Sequence, residues 1–126
     1  MDINGLKAEN DTNGHEAGDE LIRGAARCIE KTIGRRGRCF RTGGDEFIVV
    51  TKMSETDARQ AIKDLNAETE RWKGEKTGNL HIASGYAMAS DHKGLSFEKL
   101  VHEADLAMYK NKAEYYLASG HDRRNN

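Results

Sequence analysis

Three stretches of the chain repeat apolar residues every three or four positions, and short apolar runs lie between them. That alternation limits the possible folds more than any other feature. Ile22, Ala25, Ala26, Ile29 and Ile33 mark one face of a helix over Asp19 to Ile33. Ala58, Ala61, Ile62, Leu65, Thr69 and Trp72 mark a second over Glu55 to Trp72, with Ser54 placed to cap it and Asp57 completing an imperfect capping box. Phe97, Leu100, Val101, Ala104, Met108 and Tyr115 mark a third from Phe97 to about Leu117, with Ser96 as its cap. Between the first two, "RCFRT" and "EFIVVT" flank Gly43-Gly44-Asp45, which predicts a tight hairpin with glycine at positive φ. "LHIASGYAMA" predicts a further strand, with Gly85 at a bulge or a point of close packing. "MDIN" has the look of a strand's last residues. Helix, hairpin, helix, strand, helix predicts an antiparallel or mixed sheet covered by helices, in the α+β class or a split βαβ arrangement.

Composition narrows the function classes. The 126 residues suffice for one domain with a modest core. No apolar run reaches the roughly 20 residues of a membrane span, and no signal-peptide pattern opens the chain. A formal net charge of −1 with no basic block argues against a dedicated nucleic-acid binder but leaves room for a nucleotide. Cys28 and Cys39 form no C-x-x-C and read as buried thiols of a reducing compartment. With no proline present, glycine supplies most of the punctuation. Residues 119–126 carry no apolar face and predict a flexible tail.

Two stretches carry chemistry. Asp45 and Glu46 stand at the hairpin tip beside two glycines. Mg²⁺ takes oxygen ligands, commonly one or two carboxylates plus substrate phosphates, and a glycine turn lets a phosphate or ribose approach the backbone. Taken alone, "GGDE" fits a solvated acidic turn equally well. The second stretch, "DINGLKAENDTNGHEAGDE", offers a carboxylate at a strand end, then Lys7, an Asn-Asp-x-x-Gly-His turn, and Gly-Asp opening a helix at its positive end. Glu9, Asp11, Asn13, Gly14 and Glu20 also fall on positions of a calcium-binding loop. There, however, Glu stands first in place of Asp, and Glu16 fills a position that is normally apolar. His15 reads as a residue that fixes the turn by hydrogen bonding, and Arg41 as a support for the hairpin.

"DIN..K..ND..GH..GD", then "R.GGDEF", then "ADLAMYKNK", in this order and spacing over nearly the whole chain, resemble the GGDEF family of diguanylate cyclases. The resemblance implies an α+β fold with a central, mostly antiparallel sheet flanked by helices, like the palm of adenylyl cyclases and polymerases (ferredoxin-like βαββαβ). It implies condensation of two GTP molecules into cyclic di-GMP with release of pyrophosphate, using Mg²⁺ or Mn²⁺. It implies metal ligation by Asp2, the Ile3 carbonyl and Asp45. Asp45 is the implied base toward the 3′-hydroxyl, with Glu46 supporting metal binding or catalysis. Asn10 and Asp19 match the pair that reads guanine, Lys7 and Lys112 match triphosphate contacts, and the Gly43 and Gly44 backbone matches the segment approaching the nucleotide. One GTP per subunit implies a homodimer, at least transiently. No nucleic acid or membrane segment is implied for this chain, and a cytoplasmic location follows for the domain.

The sequence also departs from the family pattern. The family's lead-in helix and most of its first strand are missing before Asp2. The chain is therefore expected to be part of a longer protein with a sensor region, an architecture compatible with a membrane anchor, its GGDEF domain spanning residues 1–118. The family's R-x-x-D inhibitory motif is replaced by Gly34 and Gly37 within "GRRGR", which implies no tight product inhibition there. Tyr115 and Tyr116 stand where the last helix usually has Gly-Arg. A hydroxyl does not replace a guanidinium in charge or geometry, unless Arg123 or Arg124 substitutes. A GGDEF module that binds GTP or a partner without turnover is the alternative.

Overall fold

A computed structural model describes residues 1–118. The tail and the two arginines named above lie outside them. The chain divides into two compact units: Asp2–Ile82, and Met1 together with the residues from Ala83 onward.

The first unit begins with β1 (Asp2–Ile3) and two helices, α1 (Leu6–Asn13) and α2 (His15–Thr32). A hairpin follows, β2 (Gly37–Arg41) and β3 (Phe47–Thr51), and then α3 (Glu55–Arg71). The strands of the hairpin are antiparallel, with Arg41 opposite Phe47 and Gly37 opposite Thr51. α2 packs against α1, α3 and β1. Its buried side contributes Ala17, Leu21, Ala25, Cys28 and Ile29, which meet Leu65 and Ala61 of α3 in the core; Ala26, expected inside, is exposed. The Ser54 cap is present: Asp57 N–H donates to Ser54 Oγ at 3.2 Å. The helix stops at Arg71, because Trp72 is extended and its indole lies against Gly24 of α2. At the far end of α2, the Arg36 guanidinium donates to the Thr32 and Ile33 carbonyls and so closes the C-terminus.

The second unit contains α4 (Phe97–Ala118). Its Ser96 cap also forms, with Lys99 N–H donating to Ser96 Oγ at 3.3 Å. Met108 is buried, while Phe97, expected on the packed face, is 59% exposed.

The α+β class and the small antiparallel pairings flanked by helices are as expected. Three local features differ. "LHIASGYAMA" forms only the two-residue strand β4 (Ile82–Ala83). Past it, Ser84 N–H turns to the Asn111 side chain at 3.1 Å, and a Cβ on Gly85 would lie 2.2 Å from the Met108 nitrogen. Backbone that is bonded to a helix cannot also extend a sheet. Second, residues 10–13, read as the start of an Asn-Asp-x-x-Gly-His turn, belong to helix α1, with Leu6 its one buried residue. Third, Cys39 is exposed; only Cys28 is buried, and both thiols are free.

Candidate functional site

Backbone pairing collects the first group of residues. Asp2 bridges Glu46 in antiparallel fashion, and Ile3 N–H donates to the Asp45 carbonyl at 2.9 Å. β1 is thus seated against the mouth of the hairpin, so Asp2, Ile3, Asp45 and Glu46 form one patch although far apart in sequence. Asp2 and Ile3 are buried, Asp45 half-buried and Glu46 exposed. Directly opposed residues of an antiparallel pair project from the same face, which makes Glu46 the cross-strand neighbour of Asp2. On the other side of β1, Asn4 N–H donates to the His81 carbonyl at 2.9 Å, and the Asn4 amide also meets His81 Nδ1. Burial pushes the His81 pKa down. The imidazole is therefore held neutral, with Nδ1 able to accept.

The hairpin loop is closed by Thr42 N–H donating to the Glu46 carbonyl at 3.0 Å and is clasped by Arg41. The Arg41 guanidinium donates to the carbonyls of Gly43 (3.1 Å) and Gly44 (2.9 Å). Arg41 supports the hairpin, as expected. The expected positive φ at Gly43 and Gly44 is absent, because a loop of this length turns without it. A Cβ at Gly44 would meet nothing within 4 Å, and one at Gly43 would come 3.3 Å from Glu46 Oε2. The fold does not require glycine at position 44.

The second group gathers at the corner between α1 and α2. Gly14 makes that corner, at φ 86° and ψ 170°. Its N–H closes α1 on the Asn10 carbonyl at 2.9 Å, while its own carbonyl accepts from Ala17 N–H at 3.2 Å. This backbone region is essentially reserved for glycine. The His15 ring, expected to fix the turn, is exposed and makes no hydrogen bond among the described residues. Lys7 and Asn10 are three positions apart on α1 and so share a face. Asp19 is exposed in the first turns of α2, and Lys7 is exposed as well. Lys112 belongs to α4 in the second unit.

The calcium-loop reading is overturned. Glu9, Asp11 and Asn13 are helical, and Asn13 donates to Glu9 within α1. The Glu20 carboxylate instead accepts the backbone N–H groups of Lys76 and Thr77 at 3.0 and 3.2 Å. Desolvation raises the Glu20 pKa, but the N–H donors of Lys76, Thr77 and Glu75 outweigh it and hold the carboxyl below the usual range.

Among the described residues, no three His, Cys, Asp or Glu side chains converge as a metal cage. The donors at the β1–hairpin patch are all oxygens. That set suits Mg²⁺, which takes its remaining ligands from phosphates and water, better than a metal needing a full protein cage.

Residues 1–115 match the family described as "Diguanylate cyclase, GGDEF domain". The chain belongs to the GGDEF family. Diguanylate cyclase DosC of Escherichia coli K12 is 32% identical over 131 residues, covering 94% of this GGDEF chain but 28% of the relative. Diguanylate cyclase DgcN of the same strain is 34% identical over 118 residues, again covering 28% of that protein. The chain thus spans little more than a quarter of the length of each of these two relatives. Among solved structures, the GGDEF domain of DgcB from Caulobacter crescentus, in complex with c-di-GMP, superposes with a TM-score of 0.77 at 27% identity. That match covers 90% of this chain and 69% of the other. The active GGEEF domain of a diguanylate cyclase from Vibrio cholerae has the same fold, with a TM-score of 0.75 at 24% identity over 90% of this chain and 73% of that one.

Sequence reading missed two glycines that shape the α1–α2 corner. Gly14 was read as part of the Asn-Asp-x-x-Gly-His turn and of the calcium-loop match, and its part in joining two helices was hidden because residues 10–15 were read as one turn. Gly18, discussed below, stood in the quoted "GD" pair without any assigned task.

Proposed function

We propose that this domain condenses two GTP molecules into cyclic di-GMP. One observation carries the reading: the Ile3–Asp45 hydrogen bond and the Asp2–Glu46 bridge, which set a buried aspartate against the paired carboxylates of the hairpin. Family membership supports the same chemistry. In this reading Asp2, Asp45 and the Ile3 carbonyl hold Mg²⁺ or Mn²⁺, with Glu46 alongside. The metal, when bound, neutralises developing charge on the phosphates and lowers the pKa of a coordinated hydroxyl.

The protein's own residues do the rest. Asn10 and Asp19 orient the guanine, while Lys7 and Lys112 offset triphosphate charge. The Gly44 backbone leaves room for the nucleotide. Asp45 accepts the proton of the attacking 3′-hydroxyl. That oxygen bonds to the α-phosphorus of the second GTP, the bond to pyrophosphate breaks, and the exchange occurs once in each direction. Phosphoryl transfer depends chiefly on such positioning and charge neutralisation. Each subunit presents one GTP, so two copies meet during turnover.

The test incubates the full-length parent and this chain with GTP and Mg²⁺ and assays cyclic di-GMP and pyrophosphate. Both products are expected from the parent, and Asp45→Ala is expected to abolish them. A folded parent that makes neither overturns the proposal. A second reading, GTP binding without turnover, is favoured by Tyr116 in the position usually held by arginine. Tyr115 and Tyr116 pack edge to face with ring centroids 5.5 Å apart. GTP binding with no pyrophosphate release from the parent would select that reading.

A further inference from the structure

The Asn10 carboxamide lies directly over Gly18. A Cβ built on Gly18 would fall 1.8 Å from Asn10 Oδ1, 2.7 Å from its Cγ and 3.1 Å from its Nδ2. No side chain fits at position 18 while Asn10 stays where it is. Gly18 is interior to α2, where alanine is the better helix former, so helix formation does not explain the glycine. Its φ is not positive, so backbone geometry does not explain it either. What remains is the room it gives to Asn10.

Within that room the two ends of the amide face different surroundings. Asn10 Oδ1 is buried and meets no donor among the described residues, whereas Nδ2 is not among the buried groups lacking a partner. The carbonyl end is turned inward and the donor end is left open. Asp19, the next residue after Gly18, presents an exposed acceptor. The corner therefore offers one donor and one acceptor. Guanine and hypoxanthine present the complement, an O6 acceptor beside an N1–H donor. Adenine presents the reverse at both positions.

We propose that Gly18 is a specificity-determining positioning residue, which selects 6-oxopurine nucleotides by leaving the space in which the Asn10 amide sits with its N–H₂ outward. The inference rests on the nucleotide reading above and adds to it the residue that orients the base contact.

The test uses the 126-residue chain with Mg²⁺, titrated with GTP, ITP and ATP, in wild type, Gly18→Ala, Asn10→Ala and the double variant. Gly18→Ala is expected to weaken GTP and ITP together by about tenfold, the loss of one hydrogen bond, and to leave ATP unchanged. With Asn10 already truncated, Gly18→Ala should cost no further affinity and should raise the melting temperature by about 4 °C through helix propensity. Equal weakening of all three nucleotides means a general structural defect and overturns the proposal. So does an additive affinity loss in the double variant. A wild type that does not prefer GTP to ATP, with the melting-temperature coupling intact, refutes the nucleotide reading and the selectivity with it while leaving the packing of Asn10 on Gly18 standing. Absence of that coupling refutes the packing itself.

Discussion

Replacing Gly44 by alanine tests whether the second glycine of the hairpin belongs to the fold or to the ligand. Its φ lies outside the left-handed region, and a Cβ there meets nothing within 4 Å. The Arg41 clasp uses the Gly44 carbonyl and is indifferent to a methyl on Cα. No strain and no clash are therefore added. Alanine also restricts the unfolded chain, which stabilises by up to about 1 kcal/mol. The expected stability change runs from zero to that gain, or at most a rise of about 4 °C for a chain of this size. Gly14→Ala is the control. At φ 86° and ψ 170° the same methyl costs about 1–3 kcal/mol, enough to lower the urea midpoint visibly. Urea and thermal unfolding of both variants, followed by GTP titration of Gly44→Ala, separate the two roles. Under the proposed function, Gly44→Ala keeps or gains stability and loses at least tenfold in GTP affinity, because the methyl occupies the space left for the nucleotide. A loss of more than 1 kcal/mol in Gly44→Ala would falsify the structural reasoning. Unchanged GTP affinity would remove the clearance role.

Three further outcomes are expected. Ser54→Ala should lower stability by about 1 kcal/mol by freeing the Asp57 N–H of α3, read as a shift in denaturant midpoint with unchanged slope. Stability should fall with acid in two steps. Burial depresses His81, so the unfolded chain takes that proton first and stability declines as pH drops below about 6.5. Glu68, held down first by Lys31 and also by Arg71, and Glu20, held down by backbone N–H donors against desolvation, stabilise above about 4.3 and lose that contribution as pH falls through their folded values. Glu20→Gln should shrink the second step, as followed by midpoints between pH 3 and 8. Arg41→Ala should leave the melting temperature within about 2 °C, since the clasp is exposed, yet lower cyclic di-GMP formation by the parent as Asp45 and Glu46 lose their fixed loop. Unaltered turnover would show that the clasp does not position them.

The helices α3 and α4 were legible because local signals agreed: in each, a serine cap and an apolar period point to the same boundaries. α1 was not, because eight largely polar residues with a single buried leucine have no period to read; packing against α2 holds them helical. The end of "LHIASGYAMA" was lost to tertiary competition, since Asn111 and the α4 backbone take groups that alternation had assigned to a sheet. At the site, the motifs indicated which residues matter but not how Asp2 reaches the hairpin, which a backbone bridge accomplishes. The glycines show the limit most clearly. In sequence, Gly14, Gly18 and Gly44 carry the same letter. In the fold they separate into a backbone conformation only glycine tolerates, a space another side chain fills, and a position where the fold would accept alanine. Local chain geometry requires the first, and packing between helices the second. Only the third is left without a structural reason, and a small residue the fold does not require is where a ligand's demand on the sequence becomes visible.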